Sequence, residues 1–228
     1  MQDYEKRYRD LRAAGLPGWA GDCHAGNQLK LAAMLDDLHR SDLLPPAPCP
    51  ALELGCGNAA MAALLLAERG YRVHGIDISP TAIDWAHETF EAAGLAGHFI
   101  RGDVRTMPDF DTASFALVFD GACLHCLIGA DRSLCLAELR RILQPDGIFI
   151  ASTMCGPPHS PEARARYDAK RQCLVDDGVP TRTLRPLPVL LAELEEAGLE
   201  VVDYRIHRNP WWDHATIVTR PAPRLQNL

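Results

Sequence analysis

The chain is expected to fold as an α/β protein, with a doubly wound, mostly parallel seven-stranded sheet that ends in one antiparallel strand. Three observations predict it. Between Pro50 and Thr153 short apolar strands alternate with helical stretches, a βαβ rhythm. A glycine-rich turn, LELGCGNAAM over Leu52 to Met61, follows the first of these strands, where such a sheet carries its ligand-binding loop. In the tail, EVVDYRI and HATIVTR are joined by HRNPWWD, which suits an antiparallel hairpin rather than a crossover.

The elements follow in order. Residues 3 to 14 are expected to be helical, and the turn-rich GLPGWAGDCHAG comes next. From Asn27 to His39, Leu31, Met34, Leu35 and Leu38 share one helical face, and the prolines of LLPPAPCP stop that helix. ALEL is the first strand, with a helix over Ala60 to Arg69 behind it. YRVHGID, a helix over Thr81 to Ala93, HFIRGD and FALVFDG continue the alternation. A helix over Arg132 to Leu143 leads through QPDG into IFIAST. The Arg- and Pro-rich stretch after that strand is longer than a simple connection, and such insertions often cover active sites.

No Gly/Ser-rich or charge-block linker divides the 228 residues, so a single domain over 1–228 is expected. It would carry a helical cap over 1–45 and an inserted lid over 155–186. A composition of 47% hydrophobic and 23% charged residues argues against disorder and against a membrane protein. The opening MQDYEKRYRDLR lacks the apolar core of a secretory signal, which favours a cytoplasmic location. Eight cysteines in a chain of this length read as reduced thiols. The net charge of -7 disfavours nucleic acid, which leaves a small molecule as the expected partner; oligomeric state is not specified.

The glycine turn itself narrows the ligand. A phosphate-binding P-loop needs Lys followed by Ser or Thr, and GCGNAAMAALL has neither. A dinucleotide fingerprint tolerates Ala60 at its third position, so geometry alone leaves a dinucleotide open. Charge separates the candidates: Glu53 at the strand end would repel a pyrophosphate and attract an ammonium group. Asp77, roughly 20 residues on, stands where an acid commonly bonds the hydroxyls of a ribose.

Together, ELGCGNA, GIDIS, RGDV, FDGACLH and LRRILQPDGIFI resemble class I S-adenosylmethionine-dependent methyltransferases. The resemblance covers about Pro50 to Thr153 and implies their Rossmann-like fold, with S-adenosylmethionine as cofactor. It places Glu53, Gly55, Cys56 and Gly57 beside the methionyl part and Asp77 on the ribose. Ile78 would pack on the adenine, Asp103 would accept from its amine, and Val104 would donate its N–H to the ring. Asp120 and Gly121 would line the methionyl side. The chain departs from the family at Ala59 and Asp146, where glycines are usual.

Methyl transfer from a sulfonium needs chiefly alignment and exclusion of water, with a base where the acceptor loses a proton. His125 is the candidate base. FDGACLHC lacks the Asn/Asp-Pro-Pro-aromatic run that nucleobase and glutamine methyltransferases carry there, so an O, N or S nucleophile on a small molecule is expected. CLHC and Cys155 could hold a soft ion, yet a second ligand pair is absent and no metal is expected. Tyr4, Tyr8 and Trp19 could close over the ligands, the RYR and PGW order weakly resembling thiol and thiopurine methyltransferases, and Trp19 is counted with the cofactor residues. Arg164, Arg166, Arg171, Arg182 and Arg185 could include a carboxylate clamp. The rivals are an NAD(P)-dependent oxidoreductase and a catalytically silent S-adenosylmethionine-binding module. Against the former, none of the five tyrosines has Lys four residues later.

Overall fold

The structure, a computed structural model, describes residues 3–223. In chain order its elements are α1 (Tyr4–Ala13), α2 (His24–Arg40), β1 (Pro50–Leu54), α3 (Ala62–Glu68), β2 (Arg72–Asp77), α4 (Pro80–Ala93) and β3 (Gly97–Arg101). There follow β4 (Phe115–Gly121), α5 (Ala130–Ile142), β5 (Leu143–Cys155), α6 (Pro161–Ala165), β6 (Tyr167–Asp168), β7 (Cys173–Asp176), β8 (Val179–Thr183), α7 (Leu187–Glu196), β9 (Leu199–Arg208) and β10 (Asp213–Pro221).

Seven strands form one sheet in the order β3-β2-β1-β4-β5-β10-β9, in which β10 runs antiparallel to both neighbours. The chain winds outward from β1 to β3, then crosses to β4 and winds the other way. The reversal opens a crevice at the C-terminal tips of β1 and β4, where such sheets bind ligands.

Alternation along the strands builds both sides of the core. Leu52 and Leu54 belong to an apolar cluster that holds Leu136 and Leu139 of α5 and Leu190 and Leu194 of α7. Ala51, just before them in sequence, belongs to a second cluster with Leu35 of α2, Leu66 of α3 and Phe90 of α4. A sheet covered on both faces explains why the central strands are almost continuously apolar.

Local signals set the helix ends. The Ser79 hydroxyl accepts from Ala82 N–H at 3.1 Å, Pro80 occupies the first turn, and Gly94 closes α4 with φ +66°. The α1 helix docks on α4 through side chains. Glu5 accepts from the Ser79 hydroxyl at 2.6 Å and the Thr81 hydroxyl at 2.7 Å, and Arg12 grips Glu88 at 2.6 and 2.7 Å.

Three features differ from the sequence expectation. QPDG belongs to the start of β5 rather than to a separate turn, in a stretch where the register with β4 shifts. The segment after β5 has its own architecture, α6 plus an antiparallel sheet β6-β7-β8, fastened to the domain by the Thr183 hydroxyl donating to Leu127 O at 2.7 Å. The helix α7 was not anticipated, although Leu190 and Leu194 supply an i, i+4 apolar pair and Pro186 precedes its first turn. No helix among the described residues is long and apolar enough to cross a membrane.

Candidate active site

A cavity of about 570 Å³ lies at the C-terminal tips of β1 and β4. Its floor is the glycine turn, where Gly55 and Gly57 take φ +59° and +55°. A Cβ on Gly55 would fall 2.7 Å from that of Cys123, and one on Gly57 would strike the Tyr8 hydroxyl. Both glycines are needed for backbone conformation and for close approach. Ala59 also adopts positive φ, +54°, where a glycine would be unstrained. Cys56 fills the space beside Gly75, and its N–H donates to Ile76 O at 3.0 Å, tying β1 to β2.

Carboxylates ring this floor. Glu53 is buried, and its Oε2 accepts from Ala63 N–H at 2.8 Å in the first turn of α3. Burial pushes its pKa up to about 8, with the Asp120 charge adding to the rise and the Ala63 N–H opposing it. Asp77 accepts from Gly57 N–H and from Ser79 N–H, each at 2.9 Å, so it pins the glycine turn to the tip of β2; burial raises its pKa against those donors. Asp103 lines the next stretch of wall with Ile78 and Val104. Both oxygens of Asp103 are engaged by Arg105, the shortest contact being 2.6 Å, and Arg105 also reaches Asp131 at 3.1 Å. The Arg105 hydrogen bonds hold the Asp103 pKa below the usual carboxylate value.

Asp120 requires a correction. Gly121 lines the cavity, but Asp120 is fully buried behind the wall. Its Oδ1 accepts from Cys123 N–H and Leu124 N–H, both at 2.8 Å, and so organises the one-turn 3-10 helix Leu124–Cys126, while Oδ2 has no partner. The fold-back of this turn, whose N–H groups Asp120 accepts, holds it inward from the position that the resemblance implies.

His125 sits on that 3-10 turn and lines the cavity, buried, with Nδ1 lacking a hydrogen-bond partner. Burial, then the Arg182 charge, hold its pKa well below the ordinary histidine value, so the ring is neutral. Tyr4, Cys126, Thr181 and Arg182 complete this end. Above them Trp19 packs against Tyr4 and Tyr8, ring centroids 5.9 and 5.4 Å away.

Of the five arginines named from the insertion, only Arg182 lines the cavity. Arg166 pairs with Asp176, Arg171 with Asp168 and Arg185 with Glu193, while Arg164 donates to Pro158 O. Cys155 is buried in the core beyond the cavity wall, and Trp212 packs on Met154, Leu174 and Leu184. No group of three metal-binding side chains is found among the described residues. Sequence reasoning missed Arg105, whose signal was its place two residues after Asp103, and Asn58, which donates to Pro17 O at 2.9 Å and anchors the segment bearing Trp19. A separate cavity of about 400 Å³ lies at the opposite end of the strands, near Pro50, Arg72 and Phe115.

The donor set suits a cationic, amino-acid-bearing adenosyl ligand. Buried Glu53 stands where an ammonium would relieve its desolvation, and the glycine turn presents backbone rather than a phosphate-binding lysine.

Comparison with known proteins agrees with this geometry. Residues 52–151 match the family model described as "Methyltransferase domain". A relative from Mus musculus, EEF1A lysine methyltransferase 4, is 27% identical over 74% of this chain and 67% of its own length. Malonyl-[acyl-carrier protein] O-methyltransferase from Serratia marcescens is 30% identical over 45% of this chain, and the match spans 37% of that protein. The solved structure of Burkholderia thailandensis 1,6-didemethyltoxoflavin-N1-methyltransferase, holding its substrate and S-adenosylhomocysteine, superposes with a TM-score of 0.69 at 20% identity, covering 97% of this chain and 86% of that one.

Proposed function

We propose that this chain is a class I S-adenosylmethionine-dependent methyltransferase and that it methylates a small, protic acceptor at the end of the cavity marked by His125. Bound in this cavity, the cofactor supplies an electrophilic methyl group on a sulfonium. Glu53 and the Gly55–Cys56–Gly57 backbone would hold the methionyl end and Asp77 the ribose. Ile78, Val104 and Asp103 would hold the adenine, and Trp19 would cover the cleft. Gly121 leaves room at the methionyl end, and Asp120 acts indirectly by fixing the turn that carries His125.

The single observation that carries the acceptor assignment is the buried imidazole of His125 in the cavity wall. A neutral imidazole there accepts a proton from an O–H, N–H or S–H nucleophile as the methyl is transferred. Tyr4 and Trp19 above and Thr181 beside it exclude water and limit acceptor size. The cavity falls within the range of small-ligand sites, and the names of the Serratia and Burkholderia relatives point to acceptors of low mass or carried groups. Eight unpaired cysteines fit a reducing, cytoplasmic setting, and the acidic net charge fits a partner other than nucleic acid.

Calorimetry with S-adenosylmethionine, S-adenosylhomocysteine and NAD tests the cofactor, and release of S-adenosylhomocysteine across a panel of phenols, heteroaromatic amines and thiols tests turnover. Binding of both sulfur compounds and turnover of at least one acceptor are expected. Binding of NAD alone would support the oxidoreductase instead, and cofactor binding without any turnover would identify a silent module.

A further inference from the structure

The outer edge of the large sheet is β9, whose only strand neighbour among the described residues is β10. Its outward row of N–H and C=O groups is a template for another strand, and proteins usually blunt such edges with charge, proline or cover. Here Val202, Tyr204 and Ile206 stand exposed along the edge at 42%, 48% and 45%, and although the pairing with β10 shifts register at Val202, Asp203 to Arg208 run in unbroken register.

The sequence of this edge, EVVDYRIHR over Glu200 to Arg208, complements itself when reversed. A two-fold axis through Tyr204 sets that residue against its own copy. Asp203 then faces Arg205, and Val202, where the strand bulges, lies toward Ile206. The acid meets an arginine and the apolar side chains meet one another, the pairings that stabilise antiparallel strands. Moving the axis to Asp203 or to Arg205 sets two like charges face to face. In the single chain Asp203 and Arg205 bond to each other at 3.3 Å, and Arg205 also pairs with Asp37, so the charges are already poised on this strand.

We infer that two copies of this chain associate by antiparallel pairing of their β9 edges about Tyr204, forming one sheet continuous through both. The contact is isologous and therefore closes as a dimer rather than growing into a fibre. It is remote from the ligand cavity, since β5 and β10 separate β9 from β4, so both sites of the dimer remain open.

Sedimentation equilibrium on the full chain tests this against the 25.1 kDa monomer mass. The wild type is expected at twice that mass. Tyr204→Lys and Tyr204→Glu should each sediment as monomers, because the axis opposes identical charges, and an equimolar mixture of the two should regain the doubled mass. Val202→Lys should also be monomeric, and adding Ile206→Glu to it should restore the dimer, an independent check if position 204 proves intolerant. A monomeric wild type would overturn the inference, as would single variants that stay dimeric, which would put the interface elsewhere. Failure of both complementary charge combinations to reassociate would overturn the register. Circular dichroism and cofactor calorimetry on each variant should match wild type.

Discussion

Glu53 of β1 lies against Gly121 of β4: a Cβ on Gly121 would fall 2.8 Å from Glu53 Oε1. The missing side chain at one strand tip is what gives the neighbouring tip's carboxyl its place, and that carboxyl is buried.

The first prediction concerns pH. Glu53 titrates near 8 in the folded protein, above its ordinary 4.5. A carboxyl raised in this way favours the folded state while protonated. That contribution is whole below about pH 4.5 and is lost as pH climbs toward 8. A cationic cofactor prefers the ionised form, so its affinity should rise with pH, by at most about tenfold per unit, and level off above 8. Thermal melts of the free protein should therefore drop between acidic and mildly alkaline pH, and saturating S-adenosylmethionine should flatten the slope. A cofactor affinity independent of pH would remove Glu53 from the site.

His125 carries the second. Its ring is held neutral by burial and by the Arg182 charge, so acidification to just below neutrality should not remove the base. His125→Ala should lower kcat by about 10²-fold or more, the range for a positioned general base, with cofactor affinity unchanged in calorimetry. Equal loss of kcat and cofactor affinity would instead make it a packing residue.

The third tests the cap. Glu5 joins α1 to the first turn of α4 by accepting from the Ser79 and Thr81 hydroxyls, and α1 brings Tyr4 and Tyr8 to the cavity. Glu5→Gln weakens three charge-assisted hydrogen bonds, from the two hydroxyls and Thr81 N–H, at a partly exposed site. Cofactor affinity should fall about tenfold, or ~1.4 kcal/mol, while the melting temperature of the free protein changes little. Hydrogen exchange confined to α1 should quicken; if exchange spreads through the sheet, the contact is a general stabiliser rather than a latch.

Much of this arrangement was legible in the sequence because it rests on local patterns. The strand pattern of ALEL and FALVFDG, the turn glycines Gly55 and Gly57, and Asp77 at the end of β2 are set by burial, positive φ and strand alternation, which neighbouring residues report. Long-range pairing left no such mark. That Asp120 turns inward depends on where the Leu124–Cys126 turn folds back, and that Arg182 alone of five arginines reaches the cavity depends on the insertion forming its own sheet. Ala59 lies between these cases: its departure from glycine was visible, but its φ of +54° was not.

The last prediction concerns how the insertion is held beside the site. Arg132 is 1% exposed and gives Glu193 of α7 two hydrogen bonds, at 2.8 and 2.5 Å, with a third to Leu124 O at 2.6 Å. Arg185, just past β8, reaches the same carboxylate at 2.8 Å. One acid thus pairs with two guanidiniums that join α5, the His125 turn, the insertion and α7. Glu193→Ala leaves both cations without that partner, one of them fully buried, and breaking such a group costs about 3–5 kcal/mol. At about 2–4 °C per kcal/mol for a domain of this size, the melting temperature should fall by roughly 6–20 °C. Arg132→Met should cost less, since it removes the buried charge, nearly fills its volume and leaves Glu193 paired with Arg185. Calorimetric melts of the two variants decide it: if Arg132→Met is the more damaging, the packing of the long side chain, not its charge pairing, holds these elements together.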